Sequence, residues 1–367
     1  MKKILFLLVL VFNVAASHAC LNYYYSIDSE GHFHDGEGLR RAFNTNFNTP
    51  LIEKKLKKLQ LELKTNKDYK VLNDYAVLLL KAGKTATALD ILEQLSLKHP
   101  NDYQIAANLG TAYELAGDNL KALKYINLGL DLNPDSHEGS EWVHAKLLDA
   151  KIKFENDPSY FEDHTVLDLT DDLKKDSEIR DQLMIQIRER FPFCKGPDPI
   201  MASLLIDLGD CYANTASLEF AKASYEIAKH YYGAPDEIID PKIENAKHLL
   251  RQYVGRPLDE QLLRTQPHEG EHNRMSQIRY QKLLDDNNPS NYEIDWSGLQ
   301  SNADSLLAYA DIERVLPEPE VIDSLNFVPT KKICKPKKEE SSFWMYFLIA
   351  GLVVAGGAIF VFLRRRN

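Results

Sequence analysis

Cysteine is scarce in this sequence. Four residues in 367 exclude a compact disulfide scaffold. Positive charge is also in deficit, with 44 Lys+Arg against 54 Asp+Glu. Five of the basic residues (Lys2, Lys3, Arg364, Arg365 and Arg366) lie in terminal segments that hold no acid. Setting them aside leaves 39 basic against 54 acidic groups, a body of net −15. Such a surface repels a phosphate backbone, which weighs against a nucleic-acid role. With 17 Gly and 16 Pro, the chain is neither collagen-like nor wholly disordered. It has no phosphate-cradling Gly loop and no visible nucleophile–base arrangement.

The two ends carry the long apolar runs. Met1-Lys2-Lys3, the run Ile4–Phe12 and the stretch Asn13–Ala19 have the order of a secretory signal, residues 1–19. Ser17-His18-Ala19 fits a small-x-small cut before Cys20. Cys20 is also a lipidation candidate, although only Ala19 suits a lipobox and Ser17 and His18 do not, so plain cleavage leads. At the other end, residues 343–363 hold no charge and precede Arg364-Arg365-Arg366-Asn367. As a helix these 21 residues reach roughly 31 Å, the thickness of a hydrocarbon core. Phe343, Trp344, Tyr346 and Phe347 suit an interfacial belt. This predicts a single-pass anchor.

The basic count favours the opposite orientation, with Lys331, Lys332, Lys335, Lys337 and Lys338 before the span and three arginines after it. The leader segment dominates such conflicts, so the body is expected outside the cytoplasm and residues 364–367 inside. Gly351 and Ala355 form a small-xxx-small pair that would seat a second copy's helix.

Internal periodicity is the strongest signal between the ends. Residues 68–100 align with 102–134 at a shift of 34, with identities at Asp68/Asp102, Tyr69/Tyr103, Ala82/Ala116, Gly83/Gly117, Ala88/Ala122, Leu89/Leu123 and Pro100/Pro134. The glycines fall where a first helix must turn, the alanines where two helices approach, and the prolines where a second helix ends. A third unit reads Leu208-Gly209, Tyr212, Ala221, Tyr225 and Ala228, with Gly233 in place of the closing Pro. Gly209 follows Gly110 by 99 residues rather than 102, so the series is interrupted between Pro134 and Met201. Residues 138–154, with Trp142, Ala145, Leu148 and Ile152, read as one further packing helix.

The run Leu109-Gly110, Tyr113, Ala122, Ile126, Gly129 and Pro134 resembles the tetratricopeptide (TPR) repeat family over residues 68–250. The resemblance implies an all-α solenoid of helix pairs whose first helices line a groove for a protein partner. It places Lys70, Asn73, Asp74 and Val77, then Asn108, Thr111 and Glu114, then Glu141 and Trp142 on that face. Lys70, Asn73 and Asn108 suit capture of a C-terminal carboxylate. Asp74, Glu114 and Glu141 oppose it.

In residues 20–67, Tyr23-Tyr24-Tyr25 and a Gly- and Asn-rich loop precede Leu51–Leu63, an amphipathic helix expected to cap the first repeat. His32, His34 and Asp35 suit a metal or, more simply, a loop between Gly31 and Gly36. Residues 251–315 are expected to hold short helices at 276–284 and 303–315. Pro317, Pro319, Pro329 and Pro336 mark residues 316–342 as an extended stalk.

His268, Glu269, Gly270, Glu271 and His272 spell the H-E-x-x-H pattern of zinc hydrolases. Pro267 before it, Gly270 inside it and Asn273-Arg274 after it do not suit the stiff, buried helix that chemistry requires. Cys194 and Cys211 are the most plausible disulfide, with Cys211 equally readable as a small core residue.

The expected function is a protein-binding scaffold that uses no cofactor and no catalysis. A metal-dependent hydrolase built on the HEGEH segment and a self-assembling envelope protein are the alternatives.

Overall fold

The computed structural model describes residues 25–35, 49–254 and 293–315. The chain divides into two units, Met1–Val328 and Pro329–Asn367, and every described residue belongs to the first. The body is helical, with helix pairs packed in series. The expected all-α class gains one short antiparallel hairpin, β1 (Tyr25–Ile27) against β2 (Phe33–Asp35), with Ser26 opposite His34.

The 34-residue shift reappears as geometry. Helices α1 (Thr49–Leu63), α2 (Tyr69–Lys81), α3 (Thr85–Lys98), α4 (Tyr103–Leu115) and α5 (Asn119–Leu132) pack each on the next. Asp68 and Asp102 cap α2 and α4, accepting from the N–H groups of Lys70 (2.9 Å) and Gln104 (3.0 Å), which satisfies donors that a helix start leaves orphaned. Gly83 and Gly117 end the first helices with φ of 73° and 85°, a region costly to any residue with a Cβ. That turn lets Lys84 N–H donate to Leu79 (2.8 Å) and Asp118 N–H donate to Tyr113 (2.9 Å).

The third unit reproduces the joint at a shift of 99. It is built from α8 (Pro199–Thr215) and α9 (Leu218–His230). Ser217 accepts from Phe220 N–H at 3.1 Å, as Asp118 accepts from Lys121 N–H at 3.1 Å. Ser217 N–H donates to Tyr212 at 2.8 Å, matching the Asp118–Tyr113 bond without a glycine. Close approach is shared as well. A Cβ on Gly110 would meet Ile126 at 2.7 Å, and one on Gly209 would meet the Tyr225 ring at 2.3 Å. The +99 offset maps one pair onto the other.

Between these units lie α6 (Glu141–Asn156) and α7 (Ser177–Arg190). The expected helix over 138–154 begins later because His137, Glu138 and Gly139 take φ of 50°, 57° and 76°, a left-handed turn that breaks the helical ladder. Beyond α6, the Val166 N–H donates to Ser203 Oγ (2.8 Å) and the Leu167 N–H to Asp207 Oδ2 (3.1 Å). This loop, with α7, helps cover α8, which is buried continuously from Ile200 to Tyr212.

The two flanks cross over. Helix α1 buries Ile52, Leu56 and Leu63 and packs on α2. The hairpin, however, goes to the other end of the array. Ser29 N–H donates to Ala213 (2.7 Å) in α8, and Tyr253 Oη in α10 (Asp236–Val254) donates to the Ser29 carbonyl (3.0 Å).

Conversely, residues 293–315 return to the first helix pair. Helix α11 (Ala303–Tyr309), shorter than expected, seats Leu306 and Leu307 against α3. Tyr75 Oη donates to the Gln300 carbonyl (2.7 Å) and Thr87 Oγ1 to the Ser301 carbonyl (3.0 Å). Gln94 holds both main-chain groups of Val315, donating at 3.1 Å and accepting at 2.8 Å. Arg314 makes a two-pronged pair with Asp90, both contacts at 2.6 Å.

Candidate protein-interaction face

The first helices of the pairs, α2, α4 and α6, carry the residues that the sequence placed on a binding face. Asp74, Asn108 and Trp142 recur at intervals of 34. Asp74 is exposed, while Val77, Asn108, Thr111 and Trp142 are half-buried. Asn73 is buried and accepts from Asn108 Nδ2 at 3.0 Å, so these two amides join neighbouring units. Thr111 Oγ1 donates to the Ala107 carbonyl (3.1 Å) of its own helix. Trp142 Nε1 donates to Gln182 Oε1 in α7 at 2.6 Å, which fixes the indole plane.

Glu114 and Glu141 turn inward. The Glu114 side chain is 6% exposed and meets three cationic groups or donors. Arg190 Nη1 and Nη2 donate to it at 2.7 and 3.1 Å, Lys151 Nζ donates at 2.5 Å, and His144 Nε2 lies at 2.7 Å. His144 Nδ1 lies 3.0 Å from Glu141 Oε1, and His137 Nδ1 lies 2.5 Å from Glu141 Oε2. Both ring nitrogens of His144 thus face carboxylate oxygens.

Burial pushes the Glu114 carboxyl up, but Arg190, His144 and Lys151 outweigh it and hold it well below the usual range. Glu141 is likewise raised by burial and lowered further by His137 and His144. Neither acid is left to receive a partner. The network ties α4, α6 and α7 into one block, and a double charge on Arg190–Glu114 would be costly to break.

His144, Lys151, Gln182 and Arg190 escaped sequence reasoning. Their links to Glu114 and Trp142 span 30 to 76 residues, with no local pattern to reveal them. The only local trace is Glu141 and His144 at i, i+3.

The cysteine pair does not form. Cys194 and Cys211 are both free thiols. Cys194 lies beside the start of α8, where Tyr232 Oη reaches its carbonyl (3.3 Å) and Asp198 N–H reaches the Tyr232 carbonyl (3.1 Å). Cys211 is twelve residues beyond Pro199, about 18 Å along the helix, far past disulfide reach. Burial pushes the Cys194 thiol up to about 12 and raises Cys211 further, so neither is nucleophilic.

Among the described residues, no three His, Cys, Asp or Glu groups converge as a metal site. His32 belongs to the hairpin turn, where Asp28 Oδ1 accepts from the N–H groups of Glu30 and His32, both at 2.9 Å. No helix among the described residues is long and apolar enough to cross a membrane. Cys20, Cys334, the HEGEH segment at 268–272, the helix expected at 276–284 and the span 343–363 with Gly351 and Ala355 lie outside the described residues.

The chain matches no family model and no curated protein.

Proposed function

We propose that this chain is a TPR-type scaffold, exported by its leader, anchored by residues 343–363, and binding a protein partner outside the cytoplasm. The observation that carries the reading is the helix-pair joint repeated at shifts of 34 and 99, which sets Asp74 and Asn108 at equivalent positions of α2 and α4, with Trp142 on the following helix α6. A repeated unit of this kind presents equivalent positions at regular intervals, as an extended ligand requires. The inward network of Glu114 and Glu141 stiffens the middle of the array, so the face is preformed and binding orders little of the protein. Removal of those two acids from the surface leaves Asp74 as the carboxylate on the line, with half-buried Val77, Trp142 and Asn108 offering apolar and amide contacts.

In-cell photo-crosslinking tests the reading, with a photo-reactive residue at Asn108 or Thr111 and a control at Leu120 on α5, which is 38% exposed. One dominant protein captured from the first two positions and absent from the third supports it. Equal capture from all three, or crosslinks only to further copies of the chain, overturns it.

A further inference from the structure

We propose that the outer face of α1 rests on an anionic phospholipid surface, holding the first helix pair against the membrane in which the chain is anchored. The inference rests on the anchored reading above and adds which part of the array meets the lipid.

Charge gives the first argument. The chain is net −10, yet residues 49–67 hold six Lys against Glu53 and Glu62. Lys57 and Lys67 are paired, with Glu53 and Asp311. Lys54, Lys55 and Lys58 are exposed and make no ion pair among the described residues. Helical spacing sets these three on one stripe with Leu51 and Leu61, which are 37% and 64% exposed. A row of lysines bracketed by exposed leucines, about 15 Å long, suits a headgroup layer, with ammonium groups on the phosphates and leucines at the acyl boundary. Residues 157–181 are the reverse, with nine Asp+Glu against three Lys+Arg. They pack on α8 in the later part of the array, where an anionic surface would repel them. The lysine stripe of α1 and the acidic segment 157–181 thus lie at different places along the series of helices, although residues 293–315, with five acids against Arg314, also sit beside α1–α3.

The path of the chain gives the second argument, independent of charge. Gln94 holds Val315 on α3, and Gln60 of α1 holds residues 298 and 300 by contacts of 2.9 and 2.5 Å. The chain thus leaves the described body beside α1–α3, although it finished the array at α10. Residues 316–342 separate this exit from the apolar run and include five Lys. These 27 residues reach at most ~95 Å when fully extended. The lysine stripe of α1 and the exit of the chain from the described body thus lie beside the same helices.

The full chain in nanodiscs tests this, with Leu61 replaced by p-benzoylphenylalanine and Leu120 replaced likewise as control. Discs of phosphatidylglycerol with phosphatidylcholine are expected to give lipid adducts at position 61 at least fivefold above those at position 120. Discs of phosphatidylcholine alone, or the combined Lys54→Glu, Lys55→Glu and Lys58→Glu variant with unchanged helical circular dichroism, are expected to lose that excess. Equal labelling at both positions in anionic discs overturns the inference while leaving the anchor intact. Adducts at position 61 only to an acidic protein, in cells or membranes, also overturn it. A chain that fails to enter discs at all sinks the anchored reading itself.

Discussion

Gly209 sits directly beneath Tyr225, so close that a Cβ would stand 2.3 Å from the phenol ring. The ring is held there by its hydroxyl, which donates to Asp210 Oδ1 at 2.7 Å, and cannot swing aside. Gly209→Ala is therefore expected to destabilise the protein by about 1–3 kcal/mol through overpacking. Gly117→Ala meets open space but keeps a φ of 85°, and is expected to cost about 1 kcal/mol from backbone strain alone. Urea unfolding of both variants separates the two mechanisms. A neutral Gly209→Ala would contradict the packing of the third unit.

Glu114 anchors the buried network, and its loss leaves Arg190 without its partner. Glu114→Gln is expected to cost about 3–5 kcal/mol. The folded-state carboxyls of Glu114 and Glu141 lie below the unfolded value of 4.5. Their contribution is present above about pH 4.5 and fades as the pH falls below it. Chemical denaturation at pH 3, 4 and 6 should show a steep acid loss in the parent and a shallower one in Glu114→Gln.

Asp207 behaves in the opposite sense. Burial pushes its carboxyl up to about 7, against the bonds from Thr165 and the Leu167 N–H, with Asp210 and Asp168 adding to the rise. A folded value above the unfolded 3.8 makes its contribution fully present below about pH 3.8 and lost as the pH climbs through about 7. Asp207→Asn keeps an acceptor for the loop and is expected to remove a loss on the order of 2–4 kcal/mol across that window. Identical pH profiles for parent and variant would refute it.

The returning segment hangs on few groups. Gln94 is 4% exposed and makes both main-chain bonds to Val315, whereas Arg314 is 42% exposed in its pair with Asp90. Gln94→Ala is expected to cost about 1–2 kcal/mol, and Arg314→Ala at most about 1 kcal/mol. Limited proteolysis should cut residues 293–315 several-fold faster in Gln94→Ala, with α4–α9 unaffected.

The repeat was legible because its devices are local. An Asp cap, a turning Gly and a small residue at a helix crossing each announce themselves by type and spacing, and their recurrence at 34 made the pairing readable. The third unit stayed legible although Ala216 stands where the turning Gly would be, since Tyr212 and Ser217 close the same bond. The inward placement of Glu114 and Glu141 was not legible. A helical position facing a groove and one facing a later helix look alike until α7 brings Arg190 across. The crossed flanks were hidden for the same reason, since nothing in Ser29 or Val315 names Ala213 or Gln94 as its partner. Cys194 and Cys211, close in sequence, are held apart by the rigid rise of α8.

The central claim is that Asn108, Thr111 and Trp142 form one binding face. It is tested most directly by measuring the affinity of the crosslinked partner for the purified full-length chain. Thr111→Arg and Trp142→Ala are each expected to weaken binding at least tenfold, about 1.4 kcal/mol, while Leu120→Arg leaves it unchanged and both Thr111→Arg and Leu120→Arg keep the parent's unfolding midpoint within a few degrees. Unchanged affinity in the first two variants, or an equal loss in the third, would contradict the account.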